Sequence, residues 1–133
     1  MKPNNIILRY MIEKIPVLPL KDIILLPNVS VPILVGRSKS IQAIRIAKND
    51  NTQIFITTQK DLNVENVKES DLYKIGVLAD IKEIIELQDK TIKVLIEANS
   101  IAKIKKIYFE DSIYANVELI TNYKTEEDEN KSE

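Results

Sequence analysis

The sequence predicts an α+β domain that is mainly β: a coiled, partly closed antiparallel or mixed sheet of five to seven strands with one packed helix. Its 133 residues include 23 Ile but two Phe and no Trp, and β-branched side chains suit a pleated sheet better than a helix. The second half of the chain alternates apolar and polar residues with the period of two expected of half-buried antiparallel strands. Because the chain has two glycines in all, long strands are favoured over a many-turned sandwich.

The first half of the chain predicts two short strands. Residues 15–20 are apolar but include Pro16 and Pro19. Because proline brings no N–H to a β-ladder, this segment is expected at an edge or rim of the sheet. A turn at 28–30 then leads to a second strand at 31–35.

One helix is predicted near residues 38–49. Ser38 or Ser40 can cap its first turn, since a serine oxygen accepts hydrogen bonds from the unpaired N–H groups there. Ile41 and Ile44 fall on one face at helical spacing. This face is expected to pack on the sheet.

The remaining strands follow the helix. The two with the clearest alternation of apolar and polar residues flank a predicted hairpin turn at 88–90. A polar, irregular stretch separates the first of these strands from the rest and holds at most one helical turn. A break in the alternation is expected at 99–100. Strands are predicted at 53–57, 75–82, 91–98, 104–109 and 113–119.

The folded domain is expected to span residues 15–122, after a mobile N-terminal segment at 1–14 and before an acidic tail or linker at 123–133. We find no secretory signal, and no apolar run approaches the roughly 18 residues of a membrane span. The absence of cysteine fits a reducing compartment. The expected location is therefore the cytoplasm, with no membrane partner.

The composition excludes the commonest catalytic and metal sites. Without His or Cys, the chain has no imidazole base, no thiolate nucleophile and no thiolate ligand for zinc or an iron–sulfur cluster. Carboxylate, Lys, Tyr and Ser–Lys chemistry remain. We therefore expect no catalytic, cofactor-binding or metal-binding residues in this chain.

Two motifs could carry the remaining chemistry, and both favour a simpler interpretation. Ser100 and Lys103 match the S-x-x-K spacing, in which a lysine activates a serine one helical turn away. They lie in a predicted β segment, however, where residues three apart face opposite ways. The acidic residues near two predicted turns alternate with lysines, which is typical of a solvated sheet face. These acids are Asp80, Glu83, Glu86, Glu110 and Asp111.

One basic cluster offers a nucleic-acid interpretation. Lys103, Lys105 and Lys106 lie near Tyr108 and Phe109, and base stacking with phosphate contacts is how proteins bind single strands. The two acids that follow, and the net charge of −1, weaken that field. The favoured interpretation is that these lysines lie on strand edges, where their charge prevents one sheet from aggregating with another.

One pattern in the first half of the chain is specific. It reads Pro-Val-Leu-Pro-Leu-Lys-Asp at 16–22, Leu-Pro at 26–27 and Pro-Ile-Leu-Val-Gly-Arg-Ser-Lys-Ser at 32–40. These residues resemble the start of the amino-terminal domain of the Lon family of ATP-dependent bacterial proteases. The chain departs from the family pattern at Lys21, where Arg is usual, and at Leu26, where Phe is usual.

Later segments resemble the same family in the same order, so the resemblance covers residues 16 to about 120. The matching segments are 58–61, 71–77 and 89–97. The pattern is lost at 98–102, where Ala98 takes a glycine position and no arginine follows.

The resemblance implies a PUA-like pseudo-barrel that recognises substrates for a protease. It implies binding of unfolded, damaged or tagged polypeptides and their delivery to a motor module that uses ATP and Mg²⁺ and to a Ser–Lys peptidase. Neither module is in this chain. The family also implies a homohexamer. Two alternatives stay open: a module that assembles or spaces the hexamer, and a PUA-like RNA-binding domain.

The segment expected to contact substrate is apolar and interrupted by prolines, so its side chains cannot all face inward. Its candidate residues are Leu25, Leu26, Pro27, Val29, Val31 and Pro32. Gly36 is expected to provide a bend into the helix, and Arg37 to bind a carboxylate such as Asp22 or Glu97. The residues expected to be structural are Asp22, Gly36, Arg37, Ser40 and Gly76.

Overall fold

The computed structural model describes residues 10–21 and 27–120. Within them the chain forms six strands, one α-helix and a short 3-10 turn at Glu69–Asp71. The mainly β class, the mixed sheet and the helix near 38–49 are confirmed. The elements are β1 (Met11–Leu20), β2 (Ser30–Val35), α1 (Ser38–Asn49), β3 (Ile54–Thr58), β4 (Ile75–Glu86), β5 (Ile92–Phe109) and β6 (Ile113–Leu119).

The sheet closes on itself. Its strand order is β2-β5-β4-β3-β1-β6, and β5 also pairs with β6. Five strands therefore form a ring, and β2 is added to the outside edge of β5. The β1–β3 pair is parallel and the other pairs are antiparallel.

Strand β5 is long enough to serve two sets of partners. Its first part, Ile92–Glu97, lies between β2 and β4, and its last part, Ala102–Phe109, pairs with β6. The predicted break at 99–100 is wrong, because the strand continues through a β-bulge. Leu78 faces Ser100 while the next residue of β4 faces Ala98, which leaves Asn99 as the extra residue. Such bulges bend a strand, and here the bend lets β5 change partners.

Strand β1 lies between β3 and β6 in the sheet order, but its residues 17–20 pair on one side only, so the edge position predicted from its prolines holds for that part of the strand. Residues 11–16 pair with β6, and residues 17–20 pair with β3. The Pro19 carbonyl accepts a hydrogen bond from Arg37, 2.8 Å away. This carbonyl therefore points away from β3. Because the backbone N and O of one strand residue point to the same side, the N–H that Pro19 lacks would also point away from β3. The sheet therefore loses no ladder bond to this proline.

The strand also begins earlier than expected. Residues 11–14, predicted to belong to a mobile N-terminal segment, lie in β1, with Met11 opposite Glu118 and Ile12 opposite Val117. Lys14 adopts a φ of 50° at a bulge in this pairing. The predicted tail at 123–133 lies outside the described residues.

Parts of three strands are buried on both faces, which explains the Ile-rich composition. In β3, Ile54 and Ile56 belong to a core covered by α1, while Phe55 belongs to the core on the other side of the sheet. In β4, residues 77–79 are all buried and Ile75 is half exposed, so the single buried face predicted there is wrong. The predicted alternation in β5 at 92–98 and in β6 agrees with the observed burial.

Gly76 lies where two chain segments approach closely. A Cβ added there would overlap the Ile56 carbonyl oxygen and lie 2.8 Å from Phe55 Cζ. At Gly36 the nearest atom to an added Cβ is Thr91 Cγ2, at 3.2 Å. Neither glycine has a positive φ, so Gly36 does not provide the left-handed bend for which glycine is usually needed.

We expect Gly76→Ala to lower the free energy of unfolding by about 1–3 kcal/mol, because backbone must move to admit the methyl group. Gly36→Ala is the matched control and should change it by less than about 1 kcal/mol, since a threonine methyl group can shift. Urea denaturation of both variants measures the difference. Equal midpoints would contradict the close approach.

The predicted hairpin turn at 88–90 is present and is held by an acidic side chain. The Thr91 N–H and hydroxyl both donate to Asp89 Oδ1, and these bonds lower the pKa of Asp89 below its usual 3.8. A carboxyl with a lowered folded-state pKa stabilises the fold above its unfolded pKa and loses that effect as the pH falls through the folded value.

We expect Asp89→Asn to destabilise the chain at pH 6 and to make no difference at a pH well below 3.8. Urea midpoints at the two pH values test this, and equal losses at both would contradict it.

Candidate functional site

The start of α1 is tied to β1 through Arg37. This residue precedes the helix in extended conformation, and its carbonyl accepts a hydrogen bond from the Ile41 N–H, 2.9 Å away. Its guanidinium Nη2 donates to the Pro19 carbonyl at 2.8 Å. No side chain caps the helix, so the predicted serine caps are wrong. Ser38 is the first helical residue, and Ser40 is buried in the first turn.

Among the described residues, the guanidinium of Arg37 binds that backbone carbonyl and no carboxylate. Glu97 instead lies 3.3 Å from Lys82 Nζ. The other expected partner, Asp22, lies outside the described residues. Arg37 is therefore a link between the helix and an unpaired stretch of strand edge, because the β6 pairing of β1 stops at Pro16.

Two adjoining cavities open at this end of the helix, with volumes of about 290 Å³ and 310 Å³. Both are lined by Pro19, Arg37 and Ser40. We call them together the helix-start groove. The first cavity extends towards Val67 and Phe109, and the second towards Leu34.

The walls of the helix-start groove are largely apolar. In the first cavity the apolar walls come from Val17, Val67, Phe109 and Ile113, and in the second from Leu18, Leu20, Leu34 and Val35. One large side chain at each end is well exposed: Leu34 at 69% and Phe109 at 47%. Exposed apolar side chains gathered beside a groove are typical of binding surfaces.

The charges of the helix-start groove are unbalanced. Three cationic side chains line it, and its acidic side chain, Glu65, is held by Lys21 at 3.1 Å. In the described part of the chain, Arg37 and Lys39 have no ion pair with a carboxylate. The centre of the groove is therefore cationic and its ends are apolar.

Of the predicted substrate segment at 25–32, residues 30–32 lie in β2, the strand that also carries Leu34. Val29 and Pro32 are exposed, whereas Pro27 is half-buried. Val31 is half-buried against the core under α1. Leu25 and Leu26 lie outside the described residues.

The sequence analysis missed Leu34, the most exposed large apolar side chain in the described residues. The alternation of side chains along β2 could have identified it. Ile33 and Val35 are buried, and because alternate residues of a strand face the same way, Leu34 faces outward together with Pro32. Leu34 lies opposite Lys93, which lies opposite Ile85 in β4. The outer face of this part of the sheet thus carries an exposed apolar band, with Leu34 in β2 and Ile85 in β4, that Lys93 interrupts. Within residues 10–21 and 27–120, no strand pairs with the other edge of β2.

The S-x-x-K motif is not assembled. Ser100 and Lys103 lie in a regular part of β5, opposite Leu78 and Ile75, and a spacing of three puts them on opposite faces. Within the described part of the chain, no group of three or more acidic residues could hold a metal ion. The acids are engaged elsewhere: Glu86 pairs with Arg45 at 2.8 Å, and Asp80 accepts a hydrogen bond from Asn99.

The basic cluster in β5 is largely occupied by the chain's own groups. Lys105 Nζ lies 3.6 Å from Glu118, and Lys106 Nζ lies 5.1 Å from the centre of the Tyr108 ring. Lys14 also lies over the Tyr108 ring and pairs with Glu110 at 2.9 Å, which raises the pKa of Lys14. One lysine of the cluster, Lys105, is thus paired with an acid, and the Tyr108 ring is contacted by Lys14 and Lys106.

Residues 14–133 match the family model of the ATP-dependent protease La (LON) substrate-binding domain. The chain belongs to this family. Among curated relatives, the Lon protease of Buchnera aphidicola subsp. Baizongia pistaciae is 41% identical over 108 residues, which are 80% of this chain and 14% of the relative. The Lon protease of Aquifex aeolicus is 40% identical over 110 residues, 82% of this chain and 14% of the relative. This chain thus spans about a seventh of the length of these Lon proteases.

Solved structures of Lon N-terminal domains share the fold. The N-terminal domain of Mycobacterium avium complex Lon protease aligns with a TM-score of 0.60 and 22% identity, over 81% of this chain and 54% of that one. The Lon N-terminal domain protein from Xanthomonas campestris aligns with a TM-score of 0.62 and 12% identity, over 83% of this chain and 61% of that one. Within the described part of this Lon domain, no helix is long and apolar enough to cross a membrane.

We expect Arg37→Met to lower the free energy of unfolding of this Lon domain by about 1.5–3 kcal/mol, the usual range for a hydrogen bond to a charged group. Arg45→Met on the same helix removes an exposed ion pair with Glu86, and it should cost less than about 1 kcal/mol. Urea denaturation compares the two. A larger loss for Arg45→Met would mean that Arg37 does not link α1 to β1.

Proposed function

We propose that this chain is the part of a Lon-type protease that recognises polypeptide substrates and breaks no bond itself. The observation that carries the proposal is the exposed apolar side chain of Leu34, which lines the helix-start groove and lies on the same strand as the exposed Pro32. Family membership adds the context, because the matched family is described as substrate-binding. In the described residues, the S-x-x-K pair faces opposite ways and the clustered acids are engaged, which supports a binding role.

Unfolded polypeptides suit such a surface because they expose apolar side chains that folded proteins bury. Contact would be shallow, with side chains entering the groove and covering the apolar band of β2 and β4. Strand addition at the β2 edge would contribute less, since Pro32 offers no N–H to an added strand. A single site of this kind binds weakly, because ordering a flexible chain costs entropy.

The proposal extends to the parent protein. We infer that the bound polypeptide passes to a motor module that uses ATP and Mg²⁺ and then to a Ser–Lys peptidase in the rest of the protease. Several copies in a homohexamer would raise the effective concentration of binding sites and offset the weakness of each one. The cytoplasm, where damaged proteins are cleared, is the proposed location.

We expect Leu34→Ser to weaken binding of an unfolded protein, such as permanently reduced and alkylated lactalbumin, by about threefold or more, since it removes an apolar contact. Amide chemical-shift titration of the 133-residue chain measures this and should place the largest shifts in β2 and the first turn of α1. Ile75→Ser is the matched control, because Ile75 is 50% exposed and lines neither cavity of the groove.

The same samples distinguish the alternatives. No shifts at high concentrations of unfolded protein would overturn substrate docking. Concentration-dependent self-association in sedimentation, lost in Leu34→Ser, would favour the assembly module. A salt-dependent gel shift with single-stranded RNA would favour the PUA-like RNA-binding domain, which the pairing of Lys14 and Lys105 with acids disfavours.

A further inference from the structure

We propose that the helix-start groove selects extended polypeptide segments that carry an acidic side chain between two bulky apolar ones. The inference rests on the proposed function and adds a charge preference to it. It concerns the groove where Pro19, Arg37 and Ser40 are shared by the two cavities, with Lys39 beside them.

Arg37 is placed to bind a carboxylate. One guanidinium N–H donates to the Pro19 carbonyl, which fixes the orientation of the group. Four further N–H donors remain, because the arginine side chain has five. Arg37 is half-buried, and charge-assisted hydrogen bonds to a planar guanidinium are stronger and more directional than neutral ones. A ligand carboxylate would therefore find a fixed donor with little reorganisation.

Among the described residues, no acidic side chain pairs with Arg37. Glu65, the acidic side chain lining the groove, lies 3.1 Å from Lys21 Nζ, and Glu97 pairs with Lys82. Lys39 adds a second cation on the first turn of α1 and is exposed. The complement of this groove is thus an anionic group, and a basic group in the same place would be repelled.

The apolar walls set what flanks the acid. Phe109 and Val67 line one cavity and Leu34 lines the other, and the two cavities share Pro19, Arg37 and Ser40. Each volume is close to 300 Å³, the lower end of the range for ligand pockets, which suits one bulky side chain rather than a folded motif. In an extended chain, alternate side chains face the same way. The fitting pattern is therefore apolar-x-acid-x-apolar.

Three labelled peptides of about twelve residues test this. They share the sequence pattern Leu-Ser-X-Ser-Phe within a Gly/Ser frame, with X as Glu, Gln or Lys. Fluorescence anisotropy with the 133-residue chain should rank them Glu, Gln, Lys, with Glu tighter than Gln by about fivefold or more at low salt. Added salt should narrow the difference between Glu and Lys.

Two variants assign the preference to this groove. Lys39→Gln should reduce the Glu-to-Gln affinity ratio by about half or more, and Arg37→Lys should reduce it further, because lysine keeps the charge but loses the planar pair of donors. Lys48→Gln, at the far end of the same helix and also exposed, is the matched control and should leave the ratio unchanged. Since Lys39 is exposed, its variant is expected to fold as the parent does.

Equal affinity for the three peptides, or a ratio that Lys39→Gln and Lys48→Gln change alike, would overturn the charge preference. So would a lack of binding by all three peptides. The proposed function is judged separately by the unfolded-protein titration. Shifts there without a preference among the peptides would leave substrate docking standing, whereas no shifts there would remove the docking proposal itself.

Discussion

The architecture depends on β5 passing from one set of partners to another without a break. Its first part holds β2 and β4, and its last part holds β6. The bulge at Asn99 makes this possible, and the hydrogen bond from its amide to Asp80 fixes the bulge. Because β6 returns to pair with β1, the ring of five strands closes. Within the described residues, several stretches still pair on one side only, among them β2, residues 17–20 of β1 and residues 80–86 of β4.

Closure also decides where the chain can bind anything. Residues 15–20 of β1, 54–57 of β3 and 77–79 of β4 are buried on both faces, and Phe55 and Ile56 lie back to back in two cores. Such positions tolerate little change in volume, so they carry stability rather than recognition. The candidate site lies where this packing ends, at the start of α1 and on the exposed edge strand. There Leu34 and Phe109 are fixed by strands but are not covered.

The near-zero net charge conceals an uneven local balance. Lys14 and Lys105 are matched by Glu110 and Glu118, so the cluster that looks basic in the sequence is compensated at one of its three lysines. Arg37 instead donates to a backbone carbonyl, and no carboxylate of the described residues pairs with it. The charge that matters for the charge-preference proposal therefore comes from a residue that the sequence analysis had assigned to structure.

The sequence by itself determined the local elements. Periodicity predicted α1, the hairpin at 88–90 and the one-sided burial of the first part of β5 and of β6, because these patterns depend on neighbouring residues. The ordered short motifs were enough to indicate the Lon family. Tertiary structure decided the place of β1 between β3 and β6, the two-faced burial of β4 and the continuity of β5 at Asn99. It also brought Arg37, Leu34 and Phe109 to one groove. The physical reason is that the alternation of apolar and polar residues indicates only that one face of a strand is buried. Which strands pair, and whether the other face is also buried, depends on contacts between residues far apart in the chain.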